Sequence, residues 1–267
     1  MCYQNQPLNI DYLRKILSIV VTFYPFLFLS LVVPPFPLLF LIYVSALEIM
    51  KKIIVITVGN IGAGKSLFLT RLGARGFETI KEPIEDWEDL LNRETNERGR
   101  DYIPHIQTRI TTSLIKRERK MREILQRSQV IIAERDIECA TNIFIPTAKE
   151  MGFLDEEGDY TLQELCNSLT RLRNLEEEKW QEENGTEITR KILYIKTDPQ
   201  TCLNRIRRRN HPGDAMIKLD YLEKIDQKHT DWLKSRHQKV VTINNGQNDN
   251  TKIEEIIDMI QKDLFQN

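Results

Sequence analysis

A glycine-rich loop enclosed by a strand and a helix limits the possible folds of this chain more than any other feature. Ile53–Val58 is short, apolar and rich in β-branched residues, which predicts a strand buried on both faces. Residues 59–66 then read Gly-Asn-Ile-Gly-Ala-Gly-Lys-Ser, and a helix is expected from there to about Arg75. Backbone N–H groups of such a loop can turn towards phosphate oxygens, and the helix adds the positive end of its dipole. This is a Walker A pattern, in which Lys65 reaches the β- and γ-phosphates and Ser66 ligates Mg²⁺.

Further apolar segments predict the other strands of a parallel sheet. Each is short and almost wholly apolar, and helical segments separate them. This alternation is typical of an α/β fold with helices on both faces of the sheet. We therefore expect a five-stranded sheet of the P-loop NTPase type, with ligands beyond the carboxyl ends of its strands. The other predicted strands are Phe77–Ile80, Val130–Ala133, Ile192–Ile195 and Val240–Ile243.

Helices are predicted between these strands. Thr161 and Glu164 form a capping box, so Thr161 is the expected N-cap of a helix that reaches about Glu183. The other helices are expected from about Ile103 to Arg127, from Pro199, over Leu219–Ser235 and up to Phe265.

Basic residues run along the helix that is predicted to begin near Ile103. No aromatic side chains are interleaved with them, so most are interpreted as a solvated face and not as a nucleic-acid site. They are Arg109, Lys116, Arg117, Arg119, Lys120, Arg122 and Arg127.

Glu82 follows the second predicted strand and precedes Pro83. The proline ends the strand ladder and fixes the backbone where the acid projects. If Glu82 faces the glycine-rich loop, it can take the proton from an attacking hydroxyl as a general base. An exposed acid in an acidic helix explains this motif equally well. Trp87 is either a core residue or an aromatic wall for a flat ligand.

Glu134, Arg135 and Asp136 follow the third predicted strand. An acid after a run of apolar residues resembles a Walker B arrangement, so Glu134 is a candidate second ligand of Mg²⁺. Arg135 could keep Glu82 ionised and contact the phosphoryl acceptor. The alternative is a structural ion pair at a strand end.

An arginine-rich segment at residues 205–211 is interpreted as a lid. It reads Arg-Ile-Arg-Arg-Arg-Asn-His and leads into a loop with Pro212 and Gly213. Guanidinium forks match phosphate oxygens, and a mobile lid can bring them to the γ-phosphate. A solvated basic face is the alternative. The predicted ATP-binding residues are Gly59, Asn60, Ile61, Gly62, Ala63, Gly64, Lys65, Ser66, Arg205, Arg207 and Arg209.

The bulk composition excludes several classes of protein. The net charge of −1 gives no reason to expect nucleic acid as a partner. The 4 cysteines are far apart, which favours a reducing, cytoplasmic compartment over a disulfide framework or a zinc site.

The first 49 residues pose a separate question. Residues 16–47 carry no charge and are long enough to cross a bilayer, but several prolines interrupt them. This segment is a kinked membrane anchor, an upstream segment outside the working protein, or a cleaved targeting peptide. The predicted domains are therefore an extension at 1–49 and a catalytic domain at 50–267.

Together, these motifs resemble the deoxynucleoside kinase family, which includes deoxycytidine, deoxyguanosine, mitochondrial thymidine and insect multisubstrate kinases. The likeness covers about residues 50–265. It implies transfer of the γ-phosphate of ATP to the 5′-hydroxyl of a deoxynucleoside, with Mg²⁺, and a possible homodimer.

The resemblance also implies individual roles. Glu82 would be the general base with Arg135 in support, and Gln107 would pair with the edge of the base. Phe144 would stack on the base, and Asp214 would bind the 3′-hydroxyl. Residues 244–250 would form a loop near the adenine of ATP. The implied catalytic residues are Glu82, Arg135 and Lys65. The implied substrate-binding residues are Glu82, Trp87, Gln107, Arg135, Ala140, Phe144 and Asp214.

The sequence departs from the family pattern at several positions. Asp136 stands where the family has serine, Asn96 where it has tyrosine, and His211 where it has a lid arginine; Asp214 replaces a glutamate. Members that favour deoxycytidine or purines carry a charged pair in the base pocket. Leu114 and Ala140 stand at those positions here, which is more like the members that accept thymidine and other pyrimidines.

Two other functions compete with this interpretation. A nucleoside monophosphate kinase, such as a thymidylate kinase, usually has an arginine directly before the Glu-Pro, where this chain has Lys81. A membrane-tethered nucleotide-binding module without transfer activity is the second alternative.

Overall fold

The computed structural model describes residues 50–91, 102–211, 213–236 and 240–245, together with residues 254, 256–258 and 262. All of them lie in the second of the two units, Met1–Glu48 and Ile49–Asn267, into which the chain divides. The expectations about the N-terminal extension, about Asn96 and about the loop after Asn245 fall outside the described residues. None of the helices in the described part of the chain combines the length and apolar character needed to cross a membrane.

Five parallel strands form one sheet in the order β2-β3-β1-β4-β5. The strands are β1 Met50–Val58, β2 Glu78–Ile80, β3 Val130–Glu134, β4 Thr186–Lys196 and β5 Val240–Asn244. β1 is central, with β3 and β4 on its two sides. The predicted α/β fold is confirmed. β4 begins earlier than expected, because its first half is polar and only its second half carries the apolar signal.

The helices of the described residues connect these strands. They are α1 Lys65–Gly73, α2 Glu88–Leu91, α3 Tyr102–Leu125, α4 Ile137–Cys139, α5 Ile145–Glu150, α6 Glu156–Asn184, α7 Pro199–Arg209 and α8 Leu219–Ser235. A π-helical turn at Ala140–Phe144 links α4 to α5, and short 3₁₀ turns lie at Ile84–Asp86 and Asp214–Met216.

Alternate residues of β1 supply the two apolar layers of the core. Ile54 and Ile56 belong to a cluster with residues of α3 and α8. Ile53 and Val55 belong to a second cluster with residues of α1. Because successive side chains of a strand point to opposite faces, helices cover both faces of the sheet.

The predicted start of α6 is wrong. The helix begins at Glu156, and its N-cap is Asp155, whose Oδ1 accepts a hydrogen bond from the Gly158 N–H at 2.8 Å. Acidic residues in the first turn complement the helix dipole. Thr161 therefore lies inside the helix, where its capping-box pattern has no function.

The solvated face predicted for α3 is wrong at two arginines. Arg117 is 5% exposed and Arg122 is 7% exposed. Arg122 forms an ion pair with Glu176 of α6, and Arg117 bonds to backbone carbonyls at the ends of β2 and β3. Both are buried because each finds acceptors inside the fold. The predicted exposure holds for Lys116, Arg119, Lys120 and Arg127.

Candidate active site

The glycine-rich loop packs closely against β4 and against the residue that follows β5. Gly59 has a φ of +148°, and a Cβ there would lie 2.5 Å from the Ile195 carbonyl oxygen. Gly64 has a φ of +97°, and a Cβ there would lie 2.7 Å from Asn245 Nδ2. Only glycine avoids both the strained backbone and the overlap. The glycines therefore fix the shape of the loop as well as opening it to phosphate.

Side chains behind the loop tie it to other elements. Asn60 donates from Nδ2 to the Leu222 carbonyl of α8 at 2.8 Å. Arg205 of α7 donates to the carbonyls of Ala63 at 3.3 Å and of Asn245 at 3.0 Å. Asn60 and Ala63 are almost fully buried, so they support the loop from behind.

Lys65 is held inside the loop by the loop's own carbonyls. Its Nζ donates to the Gly59 oxygen at 3.1 Å and the Asn60 oxygen at 2.9 Å, and it lies 3.9 Å from Glu134 Oε1. Burial, together with nearby Arg135, lowers the pKa of Lys65 to about 8, while the carboxylates of Glu134 and Glu82 oppose the shift. An incoming phosphate would favour the charged ammonium.

Ser66 and Glu134 form a pair of oxygen ligands beside Lys65. The Ser66 hydroxyl donates to Glu134 Oε2 at 2.9 Å. Glu134 is the last residue of β3, where it lies opposite Thr57 of β1. Hydroxyl and carboxylate oxygens are the ligands that Mg²⁺ prefers, so this pair fits a magnesium ion that also binds phosphate oxygens.

Glu82 and Arg135 form a buried ion pair across the ends of β2 and β3. Arg135 Nη1 donates to Glu82 Oε1 at 2.9 Å, and Glu82 is 9% exposed. The Arg135 guanidinium also lies over the Phe144 ring, 4.4 Å from its centroid. Arg135 has a φ of +56°, a left-handed conformation that is strained for a residue other than glycine. Such strain is characteristic of functional sites, where the surrounding structure holds it.

A cavity of about 1710 Å³ joins the glycine-rich loop to the Glu82–Arg135 pair. Sites for a single small ligand usually measure about 300–1,000 Å³, so this one has room for two ligands. The predicted site residues that line it are Ile61, Gly62, Gly64, Lys65, Ser66, Glu82, Trp87, Gln107, Glu134, Arg135, Ala140, Phe144, Arg205, Arg209 and Asp214.

Gln107 is a buried polar residue that lines this cavity. It lies on α3 and is 8% exposed, and its Oε1 is buried without a hydrogen-bond partner among the described residues. Leaving such an acceptor unpaired is costly. Trp87 fits both of its predicted roles, because it packs on Leu90 and Ile106 and also lines the cavity.

Asp214 accepts hydrogen bonds from the predicted lid. Arg209 Nη2 and Nε donate to its two carboxylate oxygens at 2.8 Å each, and the His211 N–H donates at 3.1 Å. Asp214 therefore keeps only part of its acceptor capacity for a sugar hydroxyl.

The arginines of α7 do not all reach the cavity. Arg205, Arg208 and Arg209 line it, whereas Arg207 lies in a smaller groove beside Gln200. Residues three and four apart share one face of a helix, so Arg205, Arg208 and Arg209 lie on one face and Arg207 lies on another. Helical spacing could therefore have identified Arg208, and not Arg207, as a residue that lines the cavity.

The comparisons with known proteins agree with this geometry. A family model described as deoxynucleoside kinase matches residues 54–266. The chain belongs to the deoxynucleoside kinase family. It is an ATP-dependent kinase that acts on a deoxynucleoside, and these findings favour neither of the two alternative functions.

Several curated relatives are similar to this kinase. A probable deoxycytidine kinase of Fowlpox virus (strain NVSL) is 28% identical over 200 residues, which is 73% of this chain and 76% of the relative. Mitochondrial thymidine kinase 2 of Homo sapiens is 28% identical over 190 residues, 68% of this chain and 65% of the relative. A putative deoxynucleoside kinase of Frog virus 3 (isolate Goorha) is 28% identical over 174 residues, 64% of this chain and 78% of the relative.

Asp136, which departs from the family pattern, is accommodated inside the kinase. It is the N-cap of α4 and accepts a hydrogen bond from the Glu138 N–H at 3.0 Å. Its Oδ2 lies 3.6 Å from Arg173 Nη1 of α6. Burial raises the pKa of Asp136 to about 6, and the Glu138 carboxylate adds to this while Arg173 opposes it. The extra carboxylate is thus matched by an arginine that is distant in the sequence.

Sequence reasoning missed other residues of the site. Tyr221 of α8 lines the cavity, and burial raises its pKa to about 12 while Arg135 opposes the shift. Neither Tyr221 nor Arg173 belongs to a motif, so spacing gives no signal for them.

Proposed function

We propose that this kinase transfers the γ-phosphate of ATP to the 5′-hydroxyl of a deoxynucleoside, preferably thymidine, with Glu82 as the general base. One observation carries the proposal: Glu82, bound to Arg135, lines the same cavity as Lys65 and Ser66. An acceptor hydroxyl in that cavity can lie between the carboxylate and the phosphate.

In this reaction, the 5′-oxygen forms a bond to the γ-phosphorus while the bond to the β,γ-bridging oxygen breaks. The hydroxyl proton passes to the Glu82 carboxylate, and ADP leaves. Arg135 holds the Glu82 carboxylate in place by its ion pair, and Lys65 compensates the charge of the phosphates. The fold thus already holds in place the proposed base and the lysine that binds the phosphates.

Ser66 and Glu134 would hold Mg²⁺, because their oxygens lie within hydrogen-bond distance of each other beside Lys65. The bound ion would neutralise phosphate charge.

Gln107 and the apolar wall around it support a pyrimidine acceptor. The free Gln107 Oε1 can accept a hydrogen bond from the base while its amide nitrogen donates one. Leu114 and Ala140 line the cavity without charge, and the small Ala140 leaves room for a 5-methyl group. The relatives named thymidine kinases include one from Homo sapiens and one from Ictalurid herpesvirus 1 (strain Auburn).

The remaining assignments stay predictions. They are the contact of Asp214 with the 3′-hydroxyl, a homodimer and a cytoplasmic location. Size-exclusion chromatography with light scattering tests the homodimer.

The test uses the purified full chain with Mg-ATP and measures ADP release with each deoxynucleoside, each ribonucleoside and thymidylate. We expect release with deoxynucleosides, the highest kcat/KM with thymidine and none with thymidylate. Absence of nucleoside-dependent ADP release would contradict the proposed function. A higher kcat/KM with a nucleoside of another base would contradict the thymidine preference.

A matched pair of variants tests the base. Glu82→Gln should lower kcat by about 100- to 10,000-fold, the usual contribution of a general base. Glu85→Gln is the control, because Glu85 is an exposed carboxylate in the next turn of chain. If Glu82→Gln keeps full turnover, Glu82 is not the base.

A further inference from the structure

Backbone carbonyls at the ends of β2 and β3 lie next to the proposed catalytic pair. β2 ends at Ile80 and β3 ends at Glu134, so the carbonyls of Lys81 and Arg135 lie beyond the last paired residues of their strands. Buried carbonyls need hydrogen-bond donors. A donor at this place sets the path of the chain into Glu82 and through Arg135.

Arg117 supplies that donor. Its Nη1 donates to the carbonyls of Glu134 at 2.5 Å and Lys81 at 3.4 Å, and its Nη2 donates to the carbonyl of Arg135. We call this guanidinium and its carbonyls the Arg117 clamp. All hydrogen bonds of the Arg117 side chain to described residues go to these carbonyls. Burying a guanidinium costs free energy, and its planar fork presents N–H donors in a fixed geometry that a lysine ammonium does not reproduce.

The clamp acts where the backbone is strained. The Arg135 N–H donates to the Thr57 carbonyl of β1 at 3.0 Å, and the Arg135 carbonyl accepts from Arg117. Both sides of this left-handed residue are therefore held, one by the sheet and one by α3. The same guanidinium holds the residue before Glu82, so a single side chain links the two partners of the ion pair.

We propose that Arg117 is a positioning residue for phosphoryl transfer: it holds the ends of β2 and β3 so that Glu82 and Arg135 meet in the cavity. This inference rests on the proposed function. Arg117 is not among the described residues that line the cavity, so it acts through the backbone at the ends of the two strands.

Arg122 provides the control. It lies on the same helix and is similarly buried, but its partner is Glu176 of α6, and it does not line the cavity among the described residues. Arg117→Lys and Arg122→Lys each keep a positive charge and lose the fork. If Arg117 has only a structural role, the two substitutions will change the kinetics alike.

The experiment measures kcat, KM for thymidine, KM for ATP and the thermal midpoint for the full-length variants. Arg117→Lys should lower kcat by about 10- to 100-fold, the effect of a displacement near 1 Å, with KM for ATP changed less than about threefold. Arg122→Lys should lower the thermal midpoint with kcat nearly unchanged. Arg117→Met should lower kcat further; if it does not fold, Arg117→Lys decides.

A double-mutant cycle tests whether Arg117 affects kcat through Arg135 or independently of it. In an Arg135→Lys background, Arg117→Lys should cost clearly less than it does in the wild type, because groups that act as a unit are not additive. The inference is overturned if Arg117→Lys keeps kcat, if Arg122→Lys matches its loss, or if the two substitutions multiply independently. Wild-type protein without nucleoside-dependent ADP release would instead overturn the proposed function, and the inference with it.

Discussion

The two ends of the cavity, which we propose bind the phosphates and the nucleoside, differ in how their polar groups are satisfied. At the phosphate end, Lys65 is bonded to Gly59 and Asn60, and Ser66 is bonded to Glu134. At the nucleoside end, the buried Gln107 oxygen has no partner in the described part of the chain.

This difference indicates two kinds of site. The phosphate end is held in shape by its own hydrogen bonds, so binding there exchanges protein partners for phosphate oxygens. The nucleoside end carries an unpaired acceptor whose cost is relieved when a base donates to it. Polar specificity is therefore expected at the nucleoside end, because an analogue without the matching donor leaves the acceptor unpaired.

Among the substitutions that compare the two ends, the largest effect should come from Lys65. Lys65→Met removes the buried ammonium group that we propose binds the phosphates, and it should lower kcat by about 100- to 1,000-fold, as loss of one aligned donor does in other sites. Steady-state ADP release measures it. Lys116→Met, at an exposed position of α3, is the control and should leave kcat unchanged. Equal effects of the two substitutions would contradict the assignment of Lys65.

Gln107→Leu should change thermal stability and nucleoside binding in opposite ways: the protein becomes more stable and binds thymidine more weakly. We expect KM for thymidine to rise by about 10- to 100-fold, and the thermal midpoint to rise by a few degrees, because an unpaired acceptor is replaced by an apolar group. Gln163→Leu is the control: its amide donates to the Thr141 carbonyl, so its loss should lower the midpoint without changing KM. A lower midpoint for Gln107→Leu would show that its amide is already paired.

A smaller effect should distinguish the arginines of α7. Arg208 lines the cavity and Arg207 does not, so Arg208→Ala should raise KM for ATP by about tenfold, the worth of one charged hydrogen bond. Arg207→Ala should leave it unchanged. Initial rates at varied ATP decide between them, and the opposite result would support Arg207 as the ATP-binding residue.

The smallest effect concerns stability and leaves catalysis intact. His229 of α8 stacks on Tyr194, and burial lowers its pKa to about 3, with Lys65 and Arg135 contributing in the same direction. The unfolded chain therefore binds a proton that the native state excludes. Stability from this group is complete above pH 6.5 and falls with pH below it, by about 2 kcal/mol between pH 7 and pH 5.

Denaturant unfolding at pH 7 and pH 5 measures this term. His229→Gln should reduce the difference between the two pH values, because the titrating group is gone. His105→Gln, at an exposed position of α3, should retain the full difference. If His229→Gln keeps it as well, the loss at low pH has another source.

The sequence is sufficient to predict those parts of the fold whose signal lies in neighbouring residues. Strand, glycine-rich loop and helix follow one another at residues 53–75, and apolar runs mark the other strands, so the sheet and its phosphate end could be predicted. The fold brings Glu82 and Gln107 into one cavity, as the family resemblance implied.

The sequence is insufficient to predict contacts between side chains and partners that are distant along the chain. The helical pattern predicts a solvated face for Arg117, because it does not reveal the acceptors at the ends of two strands. Asp155 rather than Thr161 caps α6, because a local capping-box pattern does not show that the helix already extends on the N-terminal side of Thr161. Arg173 opposite Asp136 has no local signal at all.

A crystal structure of the kinase with thymidine and a non-hydrolysable ATP analogue tests the central claim most directly. The account predicts the 5′-oxygen within about 2.6–3.2 Å of the Glu82 carboxylate and facing the γ-phosphate above Lys65. Glu82 turned towards bulk solvent, with the 5′-oxygen against a different side chain, would contradict it.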